Sequence, residues 1–190
     1  MNHEKLISFL GHYGKISDSD KSSIRKHFVP LKVNKKQILI DKYSPCNKLF
    51  FVNSGLLRTF CVSEKGREIT RMFAWEKRFI TNIASFKNNT ENHEVIDCIK
   101  NSEILYINRE DFYSIINSSL NLKNIYADLL EECNIFHVKR FEVLTTYNLE
   151  DKLLYLKEEF PTLLKELNDS LLASFLGLNR ETFVRNKNSF

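Results

Sequence analysis

Apolar positions fall into three textures along the chain. Up to about residue 29 they step helically: Leu6, Phe9 and Leu10 share a face, and Gly11 to Gly14 breaks the pattern. Ile24 and Phe28 then resume it behind a Ser17 or Asp18 cap. From Leu31 to about Tyr106 short β-rich runs take over, at 37–41, 49–53, 56–62, 68–74, 94–100 and 104–107. Turn chemistry separates them at Ser44-Pro45, Asn53-Ser54-Gly55, Glu64-Lys65-Gly66, Asn88-Asn89 and Asn101-Ser102. Hairpins are expected around Glu64-Lys65-Gly66 and Asn101-Ser102, and strands at this spacing predict an antiparallel roll or barrel.

From Asp111 onward the pattern is helical. Leu122, Tyr126, Leu129, Cys133 and Phe136 follow the alternating spacing of a heptad seam. Leu130, His137, Phe141 and Leu144 form a second stripe beside it. One stripe is expected to cover the roll and the other to meet a second copy of the chain, with the first set as the dimer seam. A single broad stripe on a core helix is the alternative that periodicity leaves open. A further helix from about 149 to 160 should stop at Pro161.

The stretch from Asn168 to Arg185 reads as two short capped helices joined by a tight turn. Asn168, Asp169 or Ser170 caps the first, and Asn179 caps the second. Ala173 is small where helices must cross closely, and Gly177 stands where a left-handed residue reverses the chain. Leu172, Leu176, Leu178 and Phe183 would close a small core. This is the pattern of a helix-turn-helix, although ordinary αα-hairpins share it. Arg180, Glu181 and Arg185 fall on one face of the second helix, in its first two turns. Arg suits the O6 and N7 of guanine there, and Glu the N4 of cytosine; a merely solvated charged face is the other reading.

Composition narrows the function classes. The 190 residues are 43% hydrophobic and carry a net charge of +4, which permits a polyanionic partner without requiring one. Neither Gly nor Pro occurs between Gly66 and Pro161, so a Gly-rich phosphate loop of the Walker or Rossmann kind is excluded. No run is apolar enough to span a membrane and no leader-like segment opens the chain, so a cytoplasmic protein is expected. Cys46, Cys61, Cys98 and Cys133 are widely spaced and are expected to be reduced thiols. Cys133 and His137 lie one helical turn apart, but no third ligand accompanies them and no metal is expected. No nucleophile, base or metal set is arranged for catalysis, so the chain is not read as an enzyme and needs no cofactor.

Taken together, the N-terminal helices, the β-roll with Phe51-Val52-Asn53-Ser54-Gly55, the long helix and the C-terminal helix-turn-helix resemble the Crp/Fnr transcription regulators. The Leu172–Leu178 run and the Arg180-Glu181-Thr182-x-x-Arg185 run are similar to the short, wingless members common in Bacteroidetes. The resemblance implies an α+β fold: an antiparallel, jelly-roll-like roll (a double-stranded β-helix) with N-terminal helices, a long dimerisation helix and a small helix-turn-helix. The expected domains are a sensor roll at 1–117, the dimerisation helix at 118–147 and a DNA-binding domain at 148–190. Arg180, Glu181 and Arg185 would read bases of double-stranded DNA, while Asn179, Thr182 and Ser170 would hold phosphates. The dimer interface would be Leu122, Tyr126, Leu129, Cys133 and Phe136 in a homodimer.

Three departures from the family pattern shape the expectation. The stretch matching the cyclic-nucleotide cassette is 79–86, and Asn92-His93-Glu94 stands where an arginine should be. The anion-binding glycine and guanidinium are both missing, and Glu94 would repel a phosphate. Cyclic AMP and cyclic GMP are therefore not expected as effectors; an unidentified small molecule, held near Ile80, Thr81, Asn82 and His93, stays open. Asn186 occupies a position where the motif buries an aliphatic side chain. Residues 1–110 hold nineteen Lys and Arg against twelve acids, whereas residues 111–190 hold nine against twelve, which weakens non-specific attraction to DNA. The runner-up is accordingly a dimeric roll that senses or scaffolds and has lost DNA binding.

Overall fold

A computed structural model describes residues 3–187. Helices α1 (Glu4–Leu10) and α2 (Asp18–His27) precede strands β1 (Val29–Val33), β2 (Ile38–Ile40), β3 (Lys48–Val62), β4 (Glu68–Ala74) and β5 (Phe79–Ile80). Helix α3 (Ile83–Asn88) then leads into β6 (Glu94–Asn108), α4 (Arg109–Ser118) and α5 (Leu120–Thr146). The chain closes with α6 (Leu149–Glu159), α7 (Pro161–Glu166), α8 (Asp169–Phe175) and α9 (Arg180–Asn186). Two compact units result. The first is 1–61 with 71–130, and the second is 62–70 with 131–190.

The first unit is the antiparallel roll with its helices. Its sheet runs β1-β6-β3-β4, with β2 on β6 and β5 on β3. Strand alternation sends Phe50 and Val52 into the roll interior with Leu57, Ile80, Ile96, Cys98 and Ile104. Phe51 points to the opposite face and joins Leu6, Leu10, Ile24, Phe28, Phe86, Phe112 and Ile116 under the helices. Ser17, rather than Asp18, caps α2, in a reciprocal box: its hydroxyl accepts from the Asp20 N–H at 3.1 Å, and Asp20 Oδ2 accepts from the Ser17 N–H at 2.9 Å.

Two expected turns are corrected. Asn53-Ser54-Gly55 and Asn101-Ser102 reverse nothing, because β3 and β6 run past them as one long pair from Lys48↔Asn108 to Cys61↔Glu94. The register shifts between Val52 and Leu57, so the two turn signals are the two sides of a single bulge. Gly55 has φ +99°, and a Cβ there would lie 2.1 Å from Ser102 Oγ. That hydroxyl accepts from the Leu56 N–H at 3.0 Å and donates to the Lys100 carbonyl at 2.6 Å, replacing ladder bonds that the bulge removes. Turn residues and bulge residues have the same chemistry, so the sequence pattern alone does not separate the two.

The expected hairpin at Glu64-Lys65-Gly66 is present in the second unit. Ser63 N–H donates to the Arg67 carbonyl and Gly66 N–H to the Ser63 carbonyl, each at 2.9 Å, with Gly66 at φ +75°. Pro161 ends α6 but also opens α7 at its first position, where a missing N–H costs nothing. The core of this unit is Val143, Leu153, Leu156, Phe160, Leu163, Leu172, Ala173, Phe175, Leu176 and Phe183, all buried. Phe160 meets Phe136, Tyr155 and Phe175 edge-on, at ring separations of 6.2, 5.4 and 5.5 Å.

Helix α5 turns its stripes the other way round from the expectation. Leu122 is buried in the helical core of the first unit, and Tyr126 and Leu129 pack against that core. Phe136 leans on Phe160. Of the expected seam only Cys133 is exposed. The second stripe instead faces outward, with Leu130 38% and Phe141 69% exposed, joined by Val138 at 61%. Both stripes have heptad spacing, so periodicity could not say which one the rest of the chain would cover.

Candidate nucleic-acid interface and roll interior

The geometry of α8, α9 and the turn between them is set by three local devices. Asn168 Oδ1 accepts from the Leu171 N–H at 3.0 Å and caps α8. Past the last turn, Leu178 N–H donates to the Ala173 carbonyl at 2.9 Å and Gly177 N–H to the Ser174 carbonyl at 3.2 Å. With Gly177 at φ +67° this is a Schellman closure, which only a residue tolerant of positive φ makes without strain. Asn179 Oδ1 then accepts from the Thr182 N–H at 2.7 Å and starts α9. Ala173 and Phe183 are buried where the two helices meet, and Leu178 is half-buried.

Arg180, Glu181 and Arg185 are all exposed on α9, and Ser170 is exposed in the first turn of α8. Asn179 is exposed at the cap, and Thr182 is half-buried. Asn186 is also half-buried; its Nδ2 donates to the Thr182 carbonyl at 2.8 Å, so a polar side chain is satisfied within its own helix. Lys187 reaches back to Asp169 at 2.7 and 2.9 Å and ties the end of α9 to the start of α8.

Sequence reasoning missed a second set of residues in this unit. Thr70 N–H donates to Ser174 Oγ at 2.8 Å, and that hydroxyl lies 3.2 Å from the Glu68 carbonyl as its donor. Arg67 Nη2 donates to the Leu178 carbonyl at 3.0 Å. Arg140, 6% exposed on α5, donates through Nη2 to the carbonyls of Phe175 at 2.7 Å and Thr70 at 3.3 Å, with its guanidinium 3.8 Å from the Phe175 ring centre. No local signal could reveal pairs separated by 104 and 111 positions. In the sequence Arg140 stands beside Lys139 on a helix with several other charges, and nothing local marks it as the buried one.

The four expected ligand residues of the roll do not converge. Ile80 is buried in the interior core. Thr81 donates its hydroxyl to the Lys48 carbonyl at 2.9 Å. Asn82 caps α3, and its Nδ2 donates to Glu94 Oε2 at 2.8 Å. His93 is exposed and stands edge-on to Tyr43 at 6.1 Å. The centre of the cluster is Glu94, which also faces Arg71 Nε at 3.4 Å and Cys61 Sγ at 3.9 Å. Burial, followed by the Glu94 charge, pushes the Cys61 thiol above the usual range. On the opposite face of β6, Asp97 forms a two-pronged pair with Arg58 at 3.0 and 2.7 Å. Both carboxylates are thus held by side chains of the roll itself. Among the described residues no group of three or more His, Cys, Asp or Glu is arranged to hold a metal, and no helix is long and apolar enough to cross a membrane.

Comparison with known proteins places this architecture. The family model of the cyclic nucleotide-binding domain matches residues 30–119. No curated protein matches the chain in sequence. Among solved structures, the chain is similar to the c-di-GMP responsive global regulator CLP of Xanthomonas campestris, with a TM-score of 0.72 and 14% identity over 91% of each chain. It is also similar to FixK2 from Bradyrhizobium japonicum, with a TM-score of 0.71 and 10% identity over 85% of this chain and 83% of that one. A transcriptional regulator of the Crp/Fnr family from Eubacterium rectale gives 0.69 and 23% identity over 90% and 81%. At these identities the likeness is one of fold. Residues 30–119 carry the cyclic nucleotide-binding domain fold, and the chain shares its fold with solved regulators of the Crp/Fnr family.

Proposed function

We propose that the chain is a homodimeric, cytoplasmic transcription regulator that reads double-stranded DNA with α9 and whose roll does not take cyclic AMP or cyclic GMP. The observation that carries the reading is the Schellman-closed turn followed by Arg180, Glu181 and Arg185, all exposed on one short helix. Arg180 and Arg185 lie little more than a turn apart, so both reach one groove while Phe183 stays buried in the protein. Glu181 accepts usefully from cytosine and is costly near phosphate, which favours base reading over plain charge attraction. Asn179, Thr182 and Ser170 are assigned to the phosphates. The Glu94 carboxylate, already engaged by Asn82 and Arg71, supports the exclusion of cyclic nucleotides.

Dimerisation is assigned to the outward stripe of α5. Ala127, Leu130, Asn134, His137, Phe141 and Leu144 keep heptad spacing, and all but the last are exposed. An Asn at one seam position selects register and strand number in two-stranded coils. Selection from random duplexes, followed by a salt-controlled affinity series, tests the whole reading. A pseudo-palindromic site should be enriched. Arg180→Ala should lose roughly 1–3 kcal/mol on it and relax one base position, whereas Ser170→Ala should weaken all sequences evenly. Absence of an enriched site refutes the assignment. The net acidic character of residues 111–190 then favours a dimeric roll that senses or scaffolds without binding DNA.

A further inference from the structure

Helices α8 and α9 have seven residues each, too few to hold a fixed geometry by their own hydrogen bonds. Their orientation must come from what grips them. Lys187 and the core grip the outer end, while the hairpin at 62–70 and Arg140 grip α8 and the turn. Ser174 Oγ sits between the N–H of Thr70 and the carbonyl of Glu68, standing in for a strand partner along the hairpin. Arg140 satisfies the Phe175 carbonyl, one of the last carbonyls of α8, with a charge-assisted bond, and ties it to the Thr70 carbonyl. Arg67 holds the Leu178 carbonyl, two residues before Arg180. These contacts touch α8 and the turn, and Arg180, Glu181 and Arg185 stay exposed. The hairpin also falls in the same compact unit as α8 and α9.

We propose that the hairpin is a working part of the DNA reader, with Ser174, Arg67 and Arg140 acting as positioning residues that set the angle at which α9 presents its side chains. The proposal rests on the DNA-binding reading above. Its chemistry differs from that of a phosphate contact. Positioning residues lower affinity for the selected site and blur its base preference, yet they release no counterions. The slope of log affinity against log salt therefore stays the same when they are removed. A lost phosphate contact would lower that slope by about one.

The test uses the full chain and the duplex enriched with it. Ser174→Ala and Arg67→Ala are the principal variants, because Ser174 is half-buried and Arg67 is exposed, so neither opens the core. Arg140→Met is added with Arg140→Lys as its partner, and circular dichroism melting checks that each variant is folded. Each of the two principal variants should bind the enriched duplex several-fold more weakly, with an unchanged salt slope and relaxed preference at the base opposite Arg180. Arg140→Lys should recover more of the affinity than Arg140→Met. If the unmodified chain selects a site and both principal variants bind it with unchanged affinity and preference, the hairpin's role is refuted while the DNA reading stands. A salt slope lowered by about one in Arg67→Ala makes Arg67 a direct phosphate contact and overturns its positioning role. Failure of the unmodified chain to select any site overturns both.

Discussion

Phe141→Glu separates dimerisation from folding. Phe141 is 69% exposed on the single chain, so within one protomer the substitution removes little packing and should shift stability by about 0.5 kcal/mol or less. In the proposed dimer the same ring is covered. Full burial of a Phe is worth up to ~3 kcal/mol, so covering the exposed two-thirds contributes ~2 kcal/mol per protomer and ~4 kcal/mol per dimer. Losing that alone weakens association about a thousandfold, and two carboxylates facing each other across the symmetry axis add repulsion. Sedimentation velocity over a concentration series, beside thermal melting at low concentration, measures both quantities. The expected result is a monomeric variant with an unchanged low-concentration melt. Phe136→Glu should behave in the opposite sense, because Phe136 packs on Phe160 of its own chain and its loss damages the second unit. A Phe141→Glu protein that dimerises like the unmodified chain, or an unmodified chain that is monomeric at tens of micromolar, refutes the reasoning.

Gly55→Ala should cost about 3 kcal/mol or more, from a positive φ and from a Cβ placed 2.7 Å from the Ser102 Cα; urea unfolding followed by Trp75 fluorescence should show a lower midpoint. Thr59→Val should stabilise the first unit by about 1 kcal/mol, because Thr59 is 3% exposed and its hydroxyl has no partner among the described residues. A higher urea midpoint for Thr59→Val checks it. Alkylation at neutral pH should reach Cys133 first, leave Cys46 and Cys98 protected until unfolding, and modify Cys61 slowly. Because burial and Glu94 hold the Cys61 thiol protonated, its rate should climb only as the solution is made alkaline, which peptide mass mapping over a pH series reads directly.

The elements most legible in the sequence are those whose cause is local. Gly177 and Asn179 act within four residues of themselves, so the turn between α8 and α9 and the cap of α9 follow from spacing, as does the Glu64-Lys65-Gly66 hairpin. The cap of α8 lies among three adjacent candidates, of which the structure uses Asn168. Legibility fails where one residue chemistry serves two structures. Asn, Ser and Gly mark a turn and a bulge alike, and only the partner strand distinguishes them. The same limit applies to α5, whose two stripes are equally periodic until the roll claims Leu122 and Tyr126. Pro161 is legible as a stop but not as a start, and it does both, ending α6 and opening α7. The contacts of Arg67, Ser174 and Arg140 depend on segments some hundred residues apart, and no window along the chain contains them.

The second unit is discontinuous in sequence, since 62–70 belongs with 131–190, and this bears on how the protein is made and dissected. During synthesis the residues of the first unit are all available once the chain has passed Leu130, whereas the second waits for its last helices while its hairpin already hangs from β3 and β4. A fragment beginning near residue 131 would carry α8 and α9 without the segment that hydrogen-bonds Ser174 and the Leu178 carbonyl. Recombination between relatives at that boundary would pair one parent's hairpin with the other's helices. A swap that keeps the second unit intact must therefore carry residues 62–70 along with residues 131–190.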